Sequence, residues 1–165
     1  FAGWLTAGTP PLKLFLACVF VVGFIEEGLK SYAVYRLHYE HPDFDEPIDG
    51  IIYGVTLGLG FATFENLFYT ILYGIQVGLT RAFLTTLAHS AFTGIFGSYL
   101  SRGRKEGGKG IVWRGFILVA FLHGLYDFLV ISAYLNLFTS IIIILLLQFY
   151  LARLLRDARS GLDTG

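Results

Sequence analysis

The sequence predicts an all-α fold, a polytopic bundle of about five transmembrane helices. Its 165 residues are 55% hydrophobic and only 15% charged, with a mean hydropathy of +0.66, whereas a soluble domain carries about 25% charged residues. A water-soluble globule of this size buries only roughly two-thirds of its surface, so the surplus apolar area needs lipid as solvent. Five apolar stretches, 12–37, 49–75, 81–100, 111–134 and 137–155, approach or exceed the roughly 20 residues that cover a 30 Å hydrocarbon core at 1.5 Å per residue. They form one integral membrane domain over 1–165.

Each boundary has a local cause. Between the first two spans lies a polar, acidic connector in which Pro42 and Pro47 stop helix and Asp49 is placed to cap the next one. Gly50, Gly54 and Gly58 form a small-residue stripe on the second span, which lets a neighbouring helix approach closely. The glycine-rich, basic stretch 101–109 reads as a flexible loop, and Asn136 marks a weak break between the last two spans. Trp4, Trp113 and the tyrosines near span ends suit the interfacial belt.

Alternating the spans puts Arg36, Arg102, Arg104, Lys105, Lys109, Arg114, Arg153, Arg156 and Arg159 on one side, with Lys13 and Arg81 on the other. The basic side is expected to be cytoplasmic. The chain would then start outside and end inside the cytoplasmic membrane of a prokaryote. A start at Phe1, with no methionine anywhere, is what a trimmed chain lacking an upstream span would show. Zero net charge and dispersed basic residues exclude binding of nucleic acid by phosphate neutralisation. Cys18, the single cysteine, permits no internal disulfide and no thiolate zinc site, and reads as core.

Polar groups interrupt four of the spans. Glu26, Glu27 and Lys30 lie on the first, Glu65 and Asn66 on the second, His89 on the third, and His123 with Asp127 on the fourth. An ionisable group at the bilayer centre costs at least ~2.5–3.5 kcal/mol, so such a set has to find partners or water. Counting helical rise places Glu27, Glu65, His89 and His123 roughly 12–22 Å from the outer face, one layer within boundary error. Lys30 follows Glu26 by four and Glu27 by three, so it neutralises either. Asp127 follows His123 by four and is placed to orient the imidazole. His38 and His41, in the connector, read as solvated.

Two adjacent glutamates in a low-dielectric site resist ionising together. A carboxylate beside a carboxylic acid suits general base and general acid work on a water molecule, and the histidines or Asn66 can supply hydrogen bonds to a tetrahedral oxyanion. The set reads as a hydrolytic site. HExxH and a GxSG-type serine turn are absent, and Tyr126-Asp127 supplies half of an aspartyl pair.

Four motifs then resemble the PrsW family of intramembrane proteases, related to the CAAX prenyl endopeptidases and the bacteriocin-processing group. Glu26-Glu27-Gly28-Leu29-Lys30 resembles its EExxK motif, Phe61 to Asn66 its FxxxEN motif, and the segments opening at His89 and His123 its two histidine motifs. The resemblance covers residues ~20 to 130 in the right order. It implies an endopeptidase acting on a single-span or membrane-associated protein, of which an anti-sigma factor is the type case, with Glu26 and Glu27 activating water and Glu65, His89 and His123 as further site residues. Lys30, Asn66 and Asp127 support them. The related prenyl enzymes are metal-free, while this family is also grouped with metalloproteases; Glu27, Glu65, His89 and His123 are the set expected to hold Zn²⁺ if it is used. A proton- or cation-coupled transporter and a non-catalytic scaffold of the same fold are the competing readings; visible spans without an inverted repeat argue against the first, and retention of every polar group against the second.

Overall fold

A computed structural model describes residues 8–160, which are helical with no strand among them. Trp4 lies outside the described residues. The first rod contains α1 (Pro11–Ala17), a π-helical stretch (Cys18–Gly23) and α2 (Phe24–His38). Pro11 fits the first turn, where its missing N–H costs nothing. The π stretch was not foreseen from the sequence. It lies where Gly23 meets α5, and a Cβ on Gly23 would strike the carbonyl oxygen of Ala120. The wide turns sit immediately before Glu26 and Glu27, as π-bulges often do beside functional groups.

Four further helices follow: α3 (Asp49–Tyr73), α4 (Ile75–Glu106), α5 (Lys109–Ile131) and α6 (Leu137–Ser160). Several expected boundaries shift. Asp49 is the first helical residue rather than the cap, and its Oδ2 accepts a hydrogen bond from the Glu46 backbone N–H at 2.7 Å. Gly74, at φ +91°, is the whole break between α3 and α4, so α4 starts six residues before Arg81. The stretch 101–109 is mostly the end of α4, closed by Gly107 in the left-handed conformation. Ser101 is buried there, accepting from the Gly50 N–H at 3.1 Å, and Arg104 covers the Phe44 ring. His38 ends α2 and stacks on Tyr53 with centroids 4.0 Å apart, so it is not simply solvated; His41 is exposed.

Helices α3, α5 and α6 are long and apolar enough to cross a membrane. The first rod and α4 carry more polar residues, and the middle of α4 is sheltered by its neighbours. Every residue of α4 from Ala88 to Ser98 is buried, and Phe92, Phe96 and Leu100 join Val34, Val119 and Ile144 in the main core. Cys18 is fully buried among Leu14, Ala17 and Val22.

The glycine stripe has a defined partner. A Cβ on Gly50, Gly54 or Gly58 would meet backbone of Gly97, Thr93 and His89 respectively, so α3 lies directly on α4. Because backbone cannot swing aside as a side-chain tip can, Gly97→Ala should cost about 1–3 kcal/mol of stability. Gly60→Ala, with open space around it, should stay within about 0.5 kcal/mol. Unfolding of the two variants in mixed micelles checks the contrast.

Candidate functional site

Two helix pairs build the site. The π stretch and α2 lie against α5 through Gly23 and Gly124, and they present Glu26, Glu27, Lys30, His123 and Asp127. The glycine-packed pair α3 and α4 presents Glu65, Arg81 and His89. The expected convergence occurs: Glu27, Lys30, His89 and His123 are joined by direct contacts, and His89 holds Glu65.

Lys30 is buried and ion-paired to Glu27, with its Nζ donating to His89 Nδ1 at 2.8 Å and lying 4.5 Å from the Phe61 ring centroid. An ammonium only donates. His89 Nδ1 therefore accepts, its proton resides on Nε2, and that N–H donates to Glu65 Oε2 at 3.0 Å. Glu65 Oε1 takes the Arg81 guanidinium at 2.9 Å, and Arg81 also stacks on Tyr69 at 3.5 Å. On the other pair, Glu27 Oε1 accepts from His123 Nδ1 at 2.9 Å. His123 Nε2 faces Glu26 Oε2 at 3.7 Å and Asp127 Oδ2 at 3.5 Å. Phe92 stacks flat on the His123 ring, holding its plane.

The two glutamates are not equivalent. Glu27 is fully buried, gives Oε1 to both Lys30 and His123, keeps a buried Oε2 without a partner, and does not line the cavity. Glu26 lines it and is 12% exposed, with an Oε2 that has no hydrogen-bond partner. The cavity, of about 490 Å³, also takes in Glu65, Arg81, His89, His123 and Asp127, and extends to Tyr73 and Val77 beside the Gly74 turn, opposite the basic ends of the helices.

Asn66 departs from the expected oxyanion role. Its Nδ2 donates to Thr86 Oγ1 at 3.0 Å and its Oδ1 accepts from Thr85 at 3.0 Å, so its amide is spent on pinning α3 to α4. Arg81, read from the sequence only as an outer charge, turns out to be a site residue together with Tyr69. A signal for it existed: Glu65 and Arg81 lie nine and seven residues on either side of Gly74, so a tight hairpin there brings them to similar depth.

The side chains also fit a metal ion. Glu26, His89 and His123 each offer one ligand atom within 4.8 Å of the others; His89 would ligate with a nitrogen that Lys30 or Glu65 holds here, and the set differs from the Glu27- and Glu65-containing one expected from the sequence. Around His123 Nε2, carboxylate oxygens of Glu26 and Asp127 converge at 3.7 and 3.5 Å. A proton at 3.5–3.7 Å makes no proper hydrogen bond, whereas bonds of about 2.0–2.2 Å to one ion put tetrahedral ligands roughly 3.4 Å apart.

Comparison with known proteins identifies a family. A family model described as PrsW family intramembrane metalloprotease matches residues 2–153. A protease PrsW of Geobacillus kaustophilus is 36% identical over 126 residues, covering 75% of this chain and 54% of that protein. One from Bacillus subtilis is 42% identical over 110 residues (65% and 50%), and one from Clostridioides difficile 35% identical over 122 (69% and 51%). The chain thus spans about half the length of the curated relatives it matches. No solved structure matches it.

Proposed function

The chain belongs to the PrsW family of intramembrane proteases, and on that footing we propose that it hydrolyses a peptide bond of a single-span, anti-sigma-factor-like protein, using water activated at Glu26. The observation that carries this reading is the meeting of Glu26, Glu65, His89, His123 and Asp127 around one cavity inside an apolar bundle. The proposed setting is the cytoplasmic membrane of a bacterium, with the basic helix ends in the cytoplasm.

Glu26 takes a proton from water as the water oxygen bonds to the carbonyl carbon, and the carbonyl π electrons move onto oxygen. That negative oxygen is met by Arg81, whose Nε–H is buried without an acceptor. When the C–N bond breaks, the oxygen's electrons restore the carbonyl and the proton on Glu26 passes to the departing amine nitrogen. Glu27 and Lys30 hold His123 and His89 in their tautomers. Zn²⁺ bound by Glu26, His89 and His123 would polarise the carbonyl and make water more acidic; with each residue offering one ligand atom, Glu26 keeps a second oxygen for the proton.

The test incubates the chain in lipid with a panel of single-span substrates and a short peptide carrying the same bond. Specific cleavage is expected, lost with a chelator, restored by Zn²⁺, and accompanied by about one zinc per chain on elemental analysis. Chelator-resistant cleavage without bound metal would leave a purely glutamate-driven hydrolase. Intact substrates together with Glu26-dependent proton flux in liposomes would replace proteolysis by transport.

A further inference from the structure

The two helix pairs are unevenly joined. α4 is buried and shares the main core with α5, which closes one edge. The opposite edge, between α2 and α3, holds a groove of about 330 Å³ walled by apolar side chains. Leu29 on α2 and Phe64, Phe68 and Leu72 on α3 are 51–67% exposed, so the groove faces the space that lipid occupies. Its inner end coincides with the candidate site, because Glu26, Glu65 and Tyr69 line both the groove and the polar cavity.

We propose that the α2–α3 seam is the lateral entrance through which a transmembrane segment of the substrate reaches Glu26 and Glu65. The proposal rests on the proteolytic reading above and adds the route and the form of the substrate. An occupant of the groove has an apolar face toward Leu29, Phe64, Phe68 and Leu72, and its backbone meets two carboxylates where the apolar wall ends. Lipid tails match the wall but offer nothing to those carboxylates; a peptide segment offers a bond to cut. From Glu65 to Tyr73 is eight residues of helix, about 12 Å of rise. The bond therefore lies about that far in from the Gly74 end, and the segment enters from the leaflet opposite the basic helix ends. The seam also divides the site. The Lys30–His89 hydrogen bond spans the two pairs, so widening the entrance loosens the catalytic set and closing on substrate restores it.

The test first assays the short peptide, which needs no lateral route. p-Benzoylphenylalanine is then placed at Phe64 or Phe68, and for comparison at Phe138 or Phe149 of α6, which are at least as exposed. Irradiation is done in a Glu26→Gln background, so a single-span substrate from the panel stays whole. Crosslinking at Phe64 and Phe68 should exceed that at α6 at least fivefold. In the active chain, Leu72→Trp should lower at least fivefold the ratio of kcat/KM on the single-span substrate to that on the peptide. Equal crosslinking at all four positions, capture of lipid alone at Phe64, or an unchanged ratio overturns the entrance while leaving proteolysis standing. Failure to cleave even the peptide removes the proteolytic reading, and the entrance with it.

Discussion

Glu26→Gln should lower the rate of substrate cleavage by about 10²–10⁴, the usual worth of a positioned general base, while the fold survives. Glu26 lines the cavity, and its Oε2 makes no hydrogen bond that the fold depends on. Glutamine keeps its size and shape and removes the ability to take a proton, together with the negative charge that would help hold a metal ion. Glu27→Gln is the informative comparison. It also lowers activity, but through His123, because Glu27 is the acceptor for the His123 Nδ1–H and the counter-ion of Lys30. The two variants therefore separate on stability: Glu26→Gln should unfold in mixed micelles near the parent value, and Glu27→Gln well below it. Should Glu26→Gln retain more than about a tenth of the parent rate, the proton is being taken elsewhere, and Asp127, across from His123 Nε2, becomes the next group to test.

Lys30→Met should destabilise the bundle by about 3–5 kcal/mol, the cost of leaving a buried charge without its partner. Lys30 and Glu27 are both fully buried. Removing the ammonium strands Glu27 with one imidazole and takes the donor away from His89 Nδ1. The effect belongs to the unpaired carboxylate more than to the lost ion pair, because a buried pair roughly breaks even against apolar residues of similar size. Accordingly, Lys30→Met combined with Glu27→Gln should recover most of the stability and none of the activity. Unfolding free energies of the parent, two single variants and the double variant form a cycle that measures the coupling. Equal stability of Lys30→Met and the double variant would mean that Glu27 is neutralised by other means.

Much of this was legible in the residues. Hydropathy located the five helical rods, although among the described residues only α3, α5 and α6 are long and apolar enough to cross a membrane. The stripe at Gly50, Gly54 and Gly58 announced a close helix contact, and Gly97, Thr93 and His89 supply it. The i,i+3 relation of Glu27 and Lys30 became an ion pair. The boundaries at Arg81 and Ser101 failed for one reason. Both lie toward the ends of α4, where polar residues and glycines interrupt the apolar run although the backbone stays helical, and only the middle of the helix is wrapped by its neighbours. Asn66 failed differently: its partners, Thr85 and Thr86, lie on the next helix, and nothing in the local sequence distinguishes an amide that bonds across a helix pair from one aimed at a cavity.

The sequence by itself determined that acids and imidazoles on four helices lie at one depth, since rise per residue and span length are local properties of the chain. Which of them meets water was decided only by tertiary packing. Neighbouring residues on a helix point about 100° apart, so of two adjacent glutamates one faces the cavity and the other the interior. The choice falls to whatever rotates the helix: here the π stretch and the Gly23–Gly124 contact with α5 direct Glu26 to the cavity and seat Glu27 against Lys30 and His123.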